Sequence, residues 1–508
     1  MKSTDHLRSQ EIKNLLDKTA WVAFLAFLAC IPVTSFPLFP PAIGGDALVR
    51  PLSVYPLTLL VFLVILPRLF RDRLPRHLLA LGFFVLVVVA SGFVSLLKDI
   101  NPSSDVSSPE RVARVLVTLA LGCAIYLAVT LTPRTKEELR AGLRALILGF
   151  TAALAWGTLQ LVYVVHFNKY YFRLINELQG LLSIRKLMNN RVSGMTYEPN
   201  WFGEQITVLL IPWLLAAVLS GSSSFRWRWR WLTVELCLLI WSVLLLPFTF
   251  SRAGLLNLAV ITVVAIILVW FLRSHREEQG TRVKNTRRSW SRILRLVVEI
   301  IVVLSIVLGL FYAASTRNEF FGRLWDYWER PNASVRGYLV YIGMEARMIY
   351  SETAFNTFKT SPILGVGPGN YALYFADMLP YRPLARTPEV LRMITPEEGR
   401  ERLVTAKNFV LRLLAETGIL GSAAFFAFGM AIIGSVLFLW LSPNPEEKFW
   451  GIGGILALTA FILSTLSFDS FAIPNMWVIF GFITSAAILA RYQTKSTSPQ
   501  FLEDKIDK

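Results

Sequence analysis

Ala253-Gly-Leu-Leu-Asn-Leu-Ala-Val-Ile-Thr-Val-Val-Ala-Ile-Ile-Leu-Val-Trp-Phe-Leu272 runs for twenty residues without a charge. A helix needs about 20 apolar residues to cross about 30 Å of hydrocarbon, so this stretch reads as a membrane span. Other apolar runs that approach or reach this length occur at 57–66, 79–94 and 294–312. With 54% apolar residues, 17% charged residues and a mean hydropathy of +0.53, the 508-residue chain is excluded from the water-soluble globular class. The expected fold is an all-α polytopic membrane protein of about twelve transmembrane helices. Their cores fall at 19–38, 52–69, 77–97, 112–132, 142–165, 200–220, 231–250, 253–272, 293–312, 409–441, 449–468 and 473–490.

One polar segment of about ninety residues, 313–406, interrupts the pattern and carries eleven Lys or Arg. The chain therefore divides into spans one to nine with short connectors (1–312), a large, partly helical outer loop (313–406), spans ten to twelve (407–492) and a polar tail (493–508). Basic residues in short connectors are retained on the cytoplasmic side. Arg68, Arg71, Arg73 and Arg76, then Arg134, Lys136, Arg140 and Arg144, then Arg226, Arg228 and Arg230, and the cluster at 273–295 mark alternate connectors as cytoplasmic. Both termini then lie inside, and the large loop faces the periplasm or cell exterior.

The net charge of +17 falls largely on cytoplasmic connectors, where anionic headgroups of membrane lipids account for it; no nucleic-acid partner is expected. Cys30, Cys123 and Cys237 all fall within expected spans, so no disulfide or cysteine zinc site should staple the loop. No His pair or dense acidic cluster appears on the outer side, so neither a metal nor a cofactor is expected. Ionisable residues within spans (Glu204, Glu235, Glu299, Arg412 and Glu416) lie near helix ends. A transporter would be expected to place such groups near the midplane, in two related halves. That layout favours an enzyme acting at the outer interface, with a lipid-linked glycan transporter as the alternative of another class.

Three outward elements carry candidate chemistry. The connector before the sixth span ends Asn189-Asn-Arg-Val-Ser-Gly-Met-Thr-Tyr-Glu-Pro-Asn200, spans seven and eight are joined by Thr249-Phe-Ser-Arg-Ala-Gly254, and the loop holds Arg336, Arg347 and Gly365-Val-Gly-Pro-Gly-Asn370. Each also has a plain structural use. Arg252 could snorkel at a helix end capped by Ser251, the glycines could form only a tight turn, and Glu198 could be a solvated loop acid. Asn408, Arg412 and Glu416 recur at i, i+4 and i+8 on one helix stripe, where Arg412 and Glu416 could simply neutralise each other.

Taken in order, these pieces resemble the O-antigen ligase and O-antigen polymerase superfamily of membrane glycosyltransferases. An Arg-x-x-Gly-x-x-x-x-Pro-Asn stretch leading into a span matches Arg191, Gly194, Pro199 and Asn200, and a Ser-Arg-Ala/Gly opening matches Ser251, Arg252 and Ala253. An Arg followed by Pro-x-x-Gly-x-Gly-x-Gly-Asn-Tyr matches Arg347, Pro362, Gly365, Gly367, Gly369, Asn370 and Tyr371. The closing His-Asn and Leu-x-Glu-x-Gly-Ile-Leu-Gly read here as Lys407-Asn408 and Leu414-Ala-Glu416-Thr-Gly418-Ile-Leu-Gly421. In the ligases the equivalent His is the proposed general base, and His6, His77, His166 and His275 all lie outside the loop.

The resemblance implies a C-type glycosyltransferase-like enzyme of the inner membrane. It would be metal-independent and would move a glycan from undecaprenyl pyrophosphate onto another lipid-linked repeat, as a polymerase, or onto lipid A core or a protein, as a ligase. Arg191, Arg252 and Arg347, with Arg336 as a weaker fourth, would receive the charge growing on pyrophosphate. Arginine stays charged and offers phosphate a planar fork of donors. Lys407, Glu198 and Glu416 are the candidates for acid and base work, and Gly365, Gly367, Gly369, Asn370 and Asn408 would shape the site.

Overall fold

The computed structural model describes residues 2–38, 49–71, 77–98, 106–225, 227–229, 232–280, 309, 326–380, 387–394 and 404–496. Seven helices come first: α1 (Lys2–Ala29), α2 (Val54–Arg71), α3 (His77–Leu96), α4 (Ser108–Leu131), α5 (Lys136–Val165), α6 (Lys169–Gln179) and α7 (Pro199–Ser220). A short antiparallel hairpin follows, β1 (Arg228–Trp229) and β2 (Leu232–Thr233), with Arg228 opposite Thr233. Next come α8 (Val234–Leu245) and α9 (Arg252–Gly280). The polar segment contributes α10 (Val335–Tyr341), α11 (Met344–Thr360), α12 (Tyr371–Tyr374) and α13 (Pro388–Ile394), before α14 (Phe409–Leu441), α15 (Pro445–Ser464) and α16 (Pro474–Ser496) close the chain.

Among the described residues, nine helices are long and apolar enough to cross a membrane, and they coincide with nine of the twelve expected spans. The seventh expected span, 231–250, is the shorter apolar helix Val234–Thr249. The ninth, 293–312, lies outside the described residues except for Gly309, as do the tail beyond 496 and the side chains of the 273–295 cluster. The first expected span, 19–38, is corrected: α1 ends at Ala29. Pro32 lacks the amide that a continuing helix needs, and Ser35 pairs with Arg50 and Ser183 as isolated bridges.

Helix starts follow local chemistry. Thr135 and Glu138 form a capping pair at α5: the Glu138 amide donates to Thr135 Oγ1 at 3.1 Å while the Arg134 amide donates to Glu138 Oε2 at 2.6 Å. Asn168, Asn408 and Asn444 cap α6, α14 and α15 through side-chain oxygens. In α3, Leu79, Leu86 and Phe93 recur every seven residues and are exposed, whereas Leu81, Phe84 and Val88 on the other side are buried. In a bilayer the exposed stripe faces lipid, and the buried one packs on α14, where Phe84 meets Phe425 edge-on at 5.3 Å. The span of α7 is 83% buried and that of α16 78%, against 22% for α2. Hence α7 and α16 form the centre, where Trp213, Trp450 and Phe482 interlock.

Polar contacts gather the connectors at two ends of the bundle. At one end Arg134 pairs with Asp17 at 3.0 Å, and buried Lys136 pairs with Glu447 at 2.8 Å. Arg140 reaches Glu446, Ser222 and Ser224. At the other end the connectors 249–252 and 464–473 meet the polar segment, and 185–199 meets 249–252, through the contacts described next.

Candidate functional site

The glycine turn and the start of α14 form one construction. At Gly418 the backbone leaves helical geometry, with φ 64° and ψ −164°, so the carbonyls of Ala415 and Glu416 lose their usual helix donors. Residues 362–367 replace them: the Val366 amide donates to Ala415 O and the Gly367 amide to Glu416 O, each at 3.0 Å. In return the Ile419 amide donates to Pro362 O at 2.8 Å and the Leu420 amide to Ile363 O at 3.2 Å. Gly365 sits at φ 74°, and a Cβ there would lie 2.3 Å from the Glu416 carbonyl carbon. The turn continues against α3 and α4, where Gly367 abuts Ser95 and Arg111 Nε donates to Gly369 O at 3.0 Å. Asn370 closes it by donating to Val366 O at 3.0 Å, and Asn408 caps α14 by accepting from the Leu411 amide at 3.1 Å. These glycines and asparagines therefore hold the turn against α14 through backbone contacts.

The arginines converge from separate segments. Arg191 braces the turn before α9: Nε donates to Thr249 O at 3.0 Å, and Nη2 donates to Thr249 O, Phe250 O and Asn200 Oδ1 at 2.8, 3.2 and 2.7 Å. Phe250 is held at φ 50°, which turns the chain into Ser251, whose hydroxyl accepts from the Gly254 amide at 3.1 Å to cap α9. Arg252 Nη1 donates to Ile342 O at 2.7 Å, tying α9 to the residue just before α11. On α11, Arg347 is exposed; its Nη1 donates to Leu466 O at 3.4 Å, and it lies within electrostatic reach of Glu204 and Glu389. Burial, opposed by Glu198 and reinforced by Arg185 and Arg252, brings the Arg191 pKa down to about 10, so the guanidinium stays charged near neutrality. Arg336 falls on α10, and its side chain lies outside the described part.

Each of the three acid and base candidates is paired. Arg185 Nη1 forms an ion pair with Glu198 Oε1 and stacks over Tyr197 at 4.9 Å. Arg412 Nε donates to Glu416 Oε1 at 3.0 Å and its Nη1 to Asp469 O at 2.7 Å, with Glu416 and Asp469 buried. Lys407, a non-glycine residue at φ 49°, donates its amide to Asp469 Oδ2 and its Nζ to Glu389 Oε1, both at 2.7 Å. The same ammonium lies 4.8 Å from the Tyr350 ring centre, and Tyr350 Oη donates to Glu389 Oε1 at 3.2 Å. Glu389, Asp469, Arg111 and Arg185 are site residues that the sequence reading did not single out. Asp469 and Glu389 stand 62 and 18 residues from Lys407, with no motif to join them.

Partial burial works against the Glu389 carboxylate, but the hydrogen bond and charge of Lys407, with Tyr350, outweigh it and hold the pKa below the usual carboxylate value. A depressed folded pKa contributes stability above the unfolded value of about 4.3, lost as pH falls through the folded value. The polar segment is therefore expected to become protease-sensitive as pH drops below about 4, and Glu389→Gln should remove that pH dependence. Limited proteolysis across a pH series checks this; an identical acid transition in the variant would exclude the pair as its source.

Arg191, Arg252 and Arg347 thus bring three guanidinium groups to the segments that join the span ends. Arg412, Glu416 and Asp469 line a small void with Pro368, Phe409 and Phe471. Among the described residues, no group of three or more His, Cys, Asp or Glu is placed to hold a metal ion.

Residues 236–426 match the family model described as O-antigen ligase. The matched stretch runs from α8 into α14, so it takes in Arg252, Arg347, the glycine turn, Lys407 and Glu416 and begins after Arg191. A search of the curated proteins finds no match.

Proposed function

We propose that this chain, by its residues 236–426 a member of the O-antigen ligase and O-antigen polymerase superfamily, is an inner-membrane glycosyltransferase that polymerises undecaprenyl-pyrophosphate-linked repeat units into surface polysaccharide. The observation that carries the reading is the convergence of Arg191, Arg252 and Arg347 from three separate segments onto one end of the bundle. Like charges brought together by the fold repel one another, and an anionic ligand relieves that repulsion. In the reaction the bond from the anomeric carbon to pyrophosphate breaks, and its electron pair leaves on phosphate oxygen. Fixed guanidinium groups stabilise that growing charge without reorganising. On this reading the polar segment covers the headgroup on the periplasmic side, and the lipid tail lies along the span ends.

Lys407 favours polymerase over ligase. It stands where the ligases place their proposed histidine base, and polymerases of the superfamily vary more at that position. Its Nζ is engaged by the Glu389 carboxylate, an arrangement that suits fastening the loop. Lys407→Gln is accordingly expected to keep its rate within about fivefold of wild type, because a half-exposed ion pair contributes under about 1 kcal/mol. A loss on the order of 10²-fold in initial rate, with the fold intact, would instead assign Lys407 the base role.

The test is reconstitution of the pure protein with a synthetic undecaprenyl-pyrophosphate repeat unit and EDTA, with products resolved on a gel. A ladder is the expected result. Transfer that appears only when lipid A core is added would replace polymerase with ligase, and a ladder abolished by EDTA would overturn metal independence.

A further inference from the structure

All three acid and base candidates named by motif are tied to partners of opposite charge, whereas Glu204 is not. It lies on α7, one helical turn beyond the Asn200 that holds Arg191, so Asn200 and Glu204 share a face at i and i+4. The Ser467 hydroxyl donates to Glu204 Oε1, and among the described residues no Lys, Arg or His comes within ion-pair distance. Arg347 stands within electrostatic reach. A buried carboxylate held by one hydroxyl is costly, and glutamine would accept the same hydrogen bond at lower cost. A purely structural role does not account for the charge.

Glu204 lines a pocket shared with Thr34, Trp201, Gln205, Pro474 and Asn475. Gln205 Oε1 and Asn475 Oδ1 are buried there without hydrogen-bond partners among the described residues, and each of the two residues is 2% exposed. Unmet acceptor oxygens beside a carboxylate call for a ligand rich in donors. A sugar supplies hydroxyl donors, and the Trp201 indole offers an apolar face to the C–H side of a pyranose ring.

We propose that this pocket is the acceptor-sugar subsite and that Glu204 is the general base of the transfer, an inference that rests on the glycosyltransferase reading above. The acceptor hydroxyl oxygen bonds to the donor's anomeric carbon as the bond to pyrophosphate breaks. The leaving electron pair goes to undecaprenyl pyrophosphate on the arginine side, and the hydroxyl proton goes to Glu204, which releases it to water. The base then lies one helical turn from the Asn200 that holds Arg191.

The experiment uses the full chain in proteoliposomes, a lipid-pyrophosphate-linked donor and an alkyl-capped repeat unit that accepts but has no pyrophosphate to lose. Glu204→Gln is expected to lower kcat by on the order of 10²-fold or more, to leave the donor KM and melting temperature unchanged, and to erase the acid limb of the pH–rate profile. Glu204→Asp should recover part of the rate. Trp201→Ala should raise the acceptor KM by about tenfold, the loss of one good apolar contact, without moving the donor KM. Wild-type kcat in Glu204→Gln overturns the base role, and an unchanged acceptor KM in Trp201→Ala overturns the subsite even if the glutamine variant fails to fold. A wild-type enzyme that transfers nothing would instead overturn the glycosyltransferase reading itself.

Discussion

Arg191→Ala is expected to lower turnover by about 10²- to 10³-fold, the usual cost of removing one preorganised charge-stabilising donor group. Two effects add. The cation beside Arg252 is lost, and the carbonyls of Thr249 and Phe250 lose donors that Arg191 supplies at 2.8 to 3.2 Å. Leaving buried carbonyls unsatisfied costs about 1 to 3 kcal/mol, so the variant should also melt at a lower temperature. Arg191→Lys should rescue little, because a single ammonium cannot reproduce a fork that reaches two carbonyls and Asn200 together. Arg347→Ala separates the two effects. Its side chain is exposed and makes one long bond to Leu466, so rate should fall while the melting temperature holds. Initial rates at saturating donor decide the matter, and unchanged turnover in Arg191→Ala would remove the arginine clamp from the mechanism.

The second large effect is structural. Gly365→Val is expected to cost about 3 kcal/mol or more, combining the left-handed penalty of about 1 to 2 kcal/mol for an L-residue with forced separation of two backbones. The clash is with main chain: a Cβ at Gly365 would lie 2.3 Å from Glu416 C and 2.4 Å from Thr417 N, and neither atom can swing aside. Gly429→Ala, in the same helix with nothing within 4 Å of its Cβ, is the matched control and should be neutral or slightly stabilising. Melting in detergent and proteolysis of the polar segment are the measurements. Equal behaviour of the two variants would mean that the turn and α14 are not mutually dependent.

Much of this architecture can be read directly from the sequence, because crossing hydrocarbon demands about 20 apolar residues and nothing else produces such runs so often. Charge placement likewise separates one set of connectors from the other. The order and spacing of the matched motifs brought forward Arg191, Arg252 and Arg347, whereas an Arg at a span boundary taken alone has an ordinary snorkelling role. Pairing was harder to read. Nothing near Lys407 announces Glu389, and nothing near Glu198 announces Arg185, because tertiary ion pairs leave no local periodicity. The partnership of 362–367 with 415–420 was hidden for a different reason. It is made by backbone amides and carbonyls, which every residue carries, and only the glycines at 365 and 418 hint that two chains approach closely. Glu204 stood among the ionisable span residues from the outset, but that no cation among the described residues comes within ion-pair distance of it appears only when its neighbours are placed around it.

The interruption at Gly418 also bears on how the chain is made. A span inserted alone would bring the amides of Ile419 and Leu420 and the carbonyls of Ala415 and Glu416 toward lipid without partners, a penalty of several kcal/mol for each group. Residues 362–367 precede α14 in the chain, so the groups that pair with this interruption are synthesised before the helix that needs them. The order of synthesis therefore makes the template first and the helix that docks on it second.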